Sequence, residues 1–265
     1  MNKLSVVMIT KNEELMLPLS LASVAWADEI LLVDSGSTDQ TLAIAEAAGA
    51  RVLHHDFEGY AAQCNWAFEQ ATNAWILMLD ADEVIEPDLR DSIQAVLAAG
   101  AEHEVYEVVR DAILLGRRMR ASSWSNERLP RFFRKGRLAF TGLVHPIPVH
   151  GDRKPGLLEG RMLHHTTRTM EQYFAKLQNY TTLWAEEQFK NGRVVSYPQC
   201  LLASGWRFFH NYFFRGEILD GKCGFFSSVS SVVYTYTKYV KLWGLLRESR
   251  NAGDGRRGTV FGKEI

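Results

Sequence analysis

The chain has 265 residues, with 30 Lys and Arg against 31 Asp and Glu. That length buries a sizeable core, in one large domain or one domain with an appended part, and the even charge balance gives no argument for nucleic acid as a partner. Three widely spaced cysteines, Cys64, Cys200 and Cys223, provide no metal-ligand spacing and suit a reducing compartment.

Leu4 to Ile9 reads as a buried strand, too short and too soon followed by Lys11, Glu13 and Glu14 to be the apolar part of a signal peptide. A polar turn from Thr10 to Glu14 leads into a helix over Leu15 to Val24. Ile30 to Val33 is a second strand. It ends in Asp34-Ser35-Gly36-Ser37-Thr38-Asp39, where Ser37 or Thr38 can cap a helix over Gln40 to Ala48 that Gly49 stops. Arg51 to His54 is a third strand, Glu58 to Ala71 a helix, and Trp75 to Leu79 a fourth strand. Alternation of strand and helix through Asp82 predicts a parallel sheet wound in βαβ units.

Beyond that point the pattern loosens. Pro87 to Ala98 reads as a helix, Val105 to Arg110 and Arg131 to Arg134 as strands, and residues 112 to 165 as strands and long loops rich in Gly, Pro, Arg and His. Met170 to Lys190 is helical, with Tyr173, Leu177, Tyr180 and Trp184 at three- and four-residue steps. Two further segments, Tyr197 to Arg215 and Phe225 to Leu246, mix aromatic residues with Arg and Lys. No window approaches the ~20 apolar residues of a membrane span.

Three strand ends carry polar side chains: Thr10 to Glu14, Asp34 to Asp39, and Asp80 to Glu83. In an open α/β sheet ligands sit at the carboxyl ends of strands, so neighbouring strands would bring these turns to one rim. Asp80 and Asp82, one residue apart in an extended chain, fall on one side and can share a hard divalent cation and a phosphate-bearing ligand. Asp34 or Glu14 can accept from an imide or ribose hydroxyls, and Asn12 can pair with a base edge. The turns at Asp34 and at Asp80 are also readable as simple helix caps. No Gly-x-x-x-x-Gly-Lys loop and no Gly-x-Gly-x-x-Gly turn follows the first strand, which weakens the nucleotide-triphosphatase and dehydrogenase readings. Transfer from a nucleotide diphosphate donor fits best.

These stretches, Ser5 to Glu14, Trp26 to Asp39 and Leu79-Asp80-Ala81-Asp82-Glu83, resemble glycosyltransferase family 2. More narrowly, Arg131-Phe132-Phe133-Arg134, Val144-His145, His164 followed by Lys176 and Tyr180, and Arg215-Gly216 with Asp220-Gly221 resemble the branch of lipopolysaccharide-core β-1,4-glucosyltransferases. The resemblance implies an α/β fold of the GT-A type, Rossmann-like, with a mainly parallel sheet flanked by helices and a C-terminal helical extension. It divides the chain into a catalytic domain over 1–165, a helical region over 166–250 and a flexible tail over 251–265. Within the catalytic domain, residues 1–100 would hold the nucleotide sugar and 101–165 would supply acceptor-side strands and loops.

By resemblance, Thr10, Asn12, Glu14, Asp34 and Ser35 line a uridine pocket, with Gln63, Asn65, Asp80 and Ala81 near the donor. Asp82 binds Mg or Mn, and His164 approaches the metal or the leaving group. Arg131 and Arg134 face the diphosphate or the acceptor, as do Lys176 and Tyr180. Such enzymes invert at the anomeric carbon through a base that deprotonates the acceptor hydroxyl. The branch carries Val-His-Glu where this chain has Val144-His145-Pro146, so the base falls to His145, Glu127 or Asp152, with Glu159 as a substitute.

The implied reaction moves glucose from UDP-glucose to a heptose of the lipopolysaccharide inner core, at the cytoplasmic face of the inner membrane. The mixed aromatic and cationic C-terminal segments would lie in the membrane interface, pack as an ordinary subdomain, or form a homodimer face. Other readings of the residues are a polyprenyl phosphate, protein or glycan acceptor, a nucleotide-sugar-binding protein without turnover, and a nucleotidyltransferase.

Overall fold

The computed structural model describes residues 2–120, 125–142, 147–151, 154–167 and 170–253. The chain forms two compact units. One comprises residues 1–113 with 125–166, and the other comprises residues 114–124 with 167–265.

The first unit is built on one mixed sheet. Its strands are β1 (Leu4–Thr10), β2 (Glu29–Asp34), β3 (Arg51–His54), β4 (Trp75–Met78), β5 (Glu83–Ile85), β6 (Val105–Leu114), β8 (Glu127–Arg134) and β11 (Gly156–Thr167), while β7 (Arg117–Arg118) falls in the other unit. The order is β3-β2-β1-β4-β8-β6-β11-β5. β9 (Ala139–Thr141) and β10 (Ile147–Val149) make a separate antiparallel ribbon. The strands β3, β2, β1 and β4 run parallel. β8 then joins β4 antiparallel, β6 joins β8 antiparallel, and β5 joins β11 antiparallel. The parallel βαβ winding expected through Asp82 is therefore one half of the sheet. The other half comes from the stretch where the sequence lost its period.

Both faces of the parallel half are covered, which is why its strands read as continuous apolar runs. Along β1, Leu4, Val6 and Met8 alternate onto one face. There they meet Leu17 and Leu21 of α1 (Leu17–Ser23) and Leu89 and Ile93 of α4 (Pro87–Ala99). Val7 points the other way, joining Leu31, Val33, Ile76 and Met78 beneath Cys64, Ala67 and Phe68 of α3 (Tyr60–Gln70). α2 (Thr41–Ala47) contributes Ala45 to the first layer. Gly160 lets β11 pass close to α4: a Cβ there would sit 2.2 Å from the backbone nitrogen of Leu89, and its φ of +86° is one that L side chains rarely adopt.

Register sets the rim. Thr10 pairs with Asp34 across β1 and β2, and Val7 pairs with Met78 across β1 and β4. Asp80, two residues past Met78, therefore comes level with Ile9, one strand spacing away. The sequence expectation that three turns share one edge follows from this neighbouring order of β2, β1 and β4.

The second unit is helical: α5 (Met170–Lys190), α6 (Tyr197–Phe209), a π-helical turn His210–Phe214, a 3-10 turn Glu217–Asp220, and α7 (Gly221–Gly253). α5 and α6 both pack on α7. α6 opens on a capping box between Ser196 and Gln199. Lys241 Nζ ties α7 to α5 by donating to Gln178 O and the hydroxyls of Thr181 and Thr182. Lys238 lies 4.5 Å over the Trp184 ring. No helix among the described residues is long and apolar enough to cross a membrane.

Candidate active site

The turns after β1 and β2 are sewn to each other. Asn12, held at φ +56°, accepts from the Thr38 N–H at 2.8 Å through Oδ1, and its own N–H donates to Ser37 Oγ at 2.9 Å. Glu14 Oε2 accepts from the Gln40 N–H at 3.0 Å, and Glu13 N–H donates to Thr41 Oγ1 at 2.8 Å. Asp34 is buried and serves its own turn. One carboxylate oxygen accepts from the N–H groups of Gly36 and Ser37, and the other accepts from the Ser37 hydroxyl. Asn12, Glu14 and Asp34 thus shape the rim, and these bonds are made within the protein.

Beside these turns opens a cleft of about 330 Å³. Thr10, Ser35, Gln63, Asp80, Ala81 and Asp82, residues that the resemblance assigns to the donor and the metal, line it. Ile9, Lys11, Glu13, Phe57 and Tyr60 line it as well. Thr10 Oγ1 is buried with no hydrogen-bond partner among the described residues, a polar atom at the cleft wall that a ligand would satisfy. Gln63 is fully buried and bridges elements: Nε2 donates to Ser35 Oγ at 3.0 Å and to His55 O, while Oε1 lies 2.7 Å from His55 Nδ1. Phe57 and Tyr60 escaped the sequence reading because an aromatic residue near a helix start carries no period of its own.

Asp80 is gripped on three sides. Its Oδ1 accepts from the Tyr60 hydroxyl at 3.2 Å, its Oδ2 accepts from Arg131 Nη2 at 2.8 Å, and its N–H donates to Glu83 Oε2 at 2.9 Å. Glu83, wholly buried, also accepts at Oε1 from Arg131 Nη2 at 3.0 Å and from Arg110 Nη1 at 2.8 Å. Arg110 Nη2 in turn reaches Glu127 Oε2 at 2.6 Å. Burial raises the Glu83 carboxyl, against the lowering pull of Arg131. Burial would lower the Arg131 guanidinium, but Asp80 and Glu83 hold it well above its ordinary value. Burial, then the Asp80 charge, raises the Tyr60 phenol, which stays a donor. Glu83 and Arg110 were not assigned roles from sequence, although a charged residue inside the apolar alternation of β6 was the available signal.

Asp82 faces β11. Its Oδ2 is 3.4 Å from His164 Nε2 on β11, and its carbonyl accepts from the His165 N–H at 3.0 Å. β11 pairs His164 with Glu83, which delivers the imidazole to the turn. Among the described residues no group of three or more His, Cys, Asp or Glu side chains is spaced to hold a metal. The Asp82 carboxylate suits Mg or Mn when phosphate oxygens and water complete the shell, and the His164 imidazole is a donor that fits Mn better than Mg.

Among the described residues, the lining of the cleft does not include the remaining predicted ones. Asn65 clamps the backbone of Phe140 on β9, donating to its carbonyl at 2.9 Å and accepting from its N–H at 2.8 Å. Arg131 is buried behind Asp80. Arg134 pairs with Trp75, at the far end of β4 and roughly 15 Å from the rim at about 3.3 Å per residue. The structure does not bring it to the cleft. Glu127 stands at the rim end of β8, bound to Arg110. Glu159 is exposed, its N–H donating to Ser92 of α4. His145 and Asp152 lie outside the described residues. Lys176 and Tyr180 are exposed on α5, in the helical unit.

Comparison with known proteins agrees with this geometry. Residues 5–151 match the model of glycosyl transferase family 2. A lipopolysaccharide core biosynthesis glycosyltransferase, LpsC of Rhizobium meliloti, is 30% identical over 247 residues, covering 91% of this chain and 92% of its own. An uncharacterized glycosyltransferase of Rickettsia felis is also 30% identical, over 94% of this chain and 91% of its own. Among solved structures, glucosyl-3-phosphoglycerate synthase from Mycobacterium tuberculosis with Mg2+ and UDP aligns with 41% of this chain and 44% of its own. It does so at 22% identity and a TM-score of 0.36, too low to bear on donor or metal. With a family match over more than half the chain and a relative aligned along nearly all of it, the chain belongs to glycosyl transferase family 2, on a GT-A fold.

Proposed function

We propose that this glycosyltransferase moves glucose from UDP-glucose to a hydroxyl of a lipid-linked glycan, the heptose region of a lipopolysaccharide core, with a divalent ion at Asp82 and His164. The observation that carries the reading is the convergence of Thr10, Ser35 and Asp80-Ala81-Asp82 on one cleft at the ends of three neighbouring parallel strands. In this reading the nucleoside end lies against Thr10, Gln63 and Asp80. The diphosphate lies toward Asp82 and His164, where a bound Mg or Mn would neutralise charge developing on the departing group. The fixed rim presents the donor without rearrangement, because Asn12, Glu14 and Asp34 already hold both turns. The base would come from Glu127, at the rim, or from His145 or Asp152. The likeness to LpsC along nearly the whole chain favours the lipopolysaccharide acceptor over a polyprenyl phosphate or protein.

A panel of UDP-, GDP- and dTDP-sugars with Mn2+, Mg2+ or chelator tests this, read by thermal shift and by release of the nucleoside diphosphate with core glycolipid present. UDP-glucose with Mn2+ should give the largest shift and should turn over. Failure of every nucleotide sugar to bind would sink the reading. Binding without transfer to the core glycolipid would leave the donor assignment and reject the acceptor.

A further inference from the structure

The α6–α7 pair is built with its polarity reversed. The buried positions of α6 and the π-helical turn are Cys200, Ser204 and Asn211, and those of α7 include Ser228 and Thr235. Asn211 Nδ2 donates to Ser231 Oγ at 3.0 Å, so the contact between the two segments is partly polar. The large apolar side chains point outward. Leu202, Trp206, Phe209 and Phe213 follow at steps of four, three and four residues along one stripe, and Phe214 and Leu219 continue it, 74% and 80% exposed. Phe225, Val229 and Val233 extend the exposed apolar surface along α7. A hairpin surrounded by water puts such residues inside, whereas small residues between helices with large apolar ones outside suit a hydrocarbon surrounding.

From α6 through the first turns of α7 the surface charge is one-signed, and the exposed Glu248 comes only toward the far end of α7. Between Asn191 and Arg247 the acidic residues are Glu217 and Asp220, and both are buried. Glu217 accepts from the Ser228 hydroxyl, and Asp220 accepts from the Arg120 N–H at 2.9 Å. Arg193, Arg215, Lys222 and Arg247 are exposed. A second copy of this face would bring like charge against like charge, and an anionic lipid surface would meet it with opposite charge.

We propose that the outward face of α6, the π-helical turn and the first turns of α7 is a docking surface for an anionic lipid bilayer. The hairpin lies along the interface, with Leu202, Trp206, Phe209, Phe213, Phe214 and Leu219 in the acyl boundary and Arg215 and Lys222 at headgroup level. This deepens the lipid-linked acceptor reading, and its test reads lipid partition instead of sugar transfer, so the failure of one is distinguishable from the failure of the other.

The test is flotation of the full chain with vesicles of phosphatidylglycerol and phosphatidylethanolamine, and with phosphatidylcholine vesicles. The wild type should float with the anionic vesicles and much less with the neutral ones. Phe214→Ser with Leu219→Ser, at two highly exposed positions, should keep the circular dichroism of the wild type and lose about tenfold in partition. Arg215→Glu with Lys222→Glu should lose the preference for anionic lipid. The proposal is overturned if the wild type ignores anionic vesicles or if the apolar double variant floats as well as the wild type. A dimer in sedimentation velocity that the double variant dissociates, with neither protein binding lipid, would assign the face to a second copy instead.

Discussion

Arg131 Nη2 donates to Asp80 Oδ2 at 2.8 Å from a side chain almost wholly buried, and the same nitrogen lies 3.0 Å from Glu83. The first acid of the Asp80-Ala81-Asp82 stretch is thus fixed from behind, while Asp82 faces His164. Two acids one residue apart take different work because β8 passes an arginine behind one of them and β11 sets an imidazole beside the other.

Removing Arg131 would strand Glu83 and Asp80. Arg131→Met should cost roughly 3–5 kcal/mol in urea unfolding at pH 7, the size expected when one partner of a buried ion pair is deleted. Arg131→Lys should recover part of that and lose the shared contact to both acids. A stability loss under about 1 kcal/mol together with collapsed activity would show Arg131 contacting substrate instead.

Asp82→Asn should separate binding from folding. The Asp82–His164 pair is partly exposed and 3.4 Å across, and a pair of that kind is worth about 1 kcal/mol or less, so the stability of the variant should stay within about 1 kcal/mol of wild type. The thermal shift given by Mn2+ with UDP should vanish, and turnover should fall by about a hundredfold or more. Asp80→Asn should instead lower stability, by about 1–3 kcal/mol, because it weakens the acceptor for Arg131 and Tyr60. Equal behaviour of the two variants would reject the division of roles.

Much of this arrangement could be read before the structure. Apolar runs from Leu4 and Trp75, separated by helical periods, carry the parallel half of the sheet, and strand adjacency follows from winding rules that need no long-range information. The antiparallel half could not be read in this way. β8 and β11 earn their places by pairing with strands tens of residues away, and an arginine whose partners are that distant looks like any surface arginine. Sequence alone therefore leaves Arg131 and Arg134 as a pair that either faces a ligand or solvates a strand edge, whereas β8 runs antiparallel to β4 and carries Arg134 to the other end. Gln63 and Asn65 illustrate the same limit. Two residues apart on α3, they bind different partners, the β2 turn and the β9 backbone, and helical spacing alone cannot say which one meets the cleft.

Asp34 offers a test of the rim. Its carboxylate accepts from three donors of its own turn, so Asp34→Ala leaves the N–H groups of Gly36 and Ser37 without acceptors. A loss of about 2–3 kcal/mol is expected, together with weaker nucleotide-sugar binding, because Ser35 stands on that turn. If Asp34→Ala leaves stability unchanged and abolishes binding, the carboxylate serves the ligand more than the loop.

Acid sensitivity should trace to Glu29, at the start of β2. One of its oxygens accepts from the Ser5 hydroxyl and, at 2.8 and 2.7 Å, from the N–H and hydroxyl of Thr72, and the other accepts from Arg51 at 2.8 Å. Burial pushes this carboxyl up, and the hydrogen bonds from Ser5, Thr72 and Arg51 outweigh it, bringing the group from 4.5 down to about 2. Because the folded value is the lower one, the stabilisation is complete above the unfolded value and drains away as pH falls from 4.5 toward 2. Glu29→Gln should be less stable at pH 7, by roughly 1–3 kcal/mol. Its urea midpoint should also fall less steeply than that of the wild type across this acid window, because the titrating group is gone. Parallel pH curves for the two proteins would show that the acid limb belongs to other carboxylates and that the edge of β2 is not held by this charge.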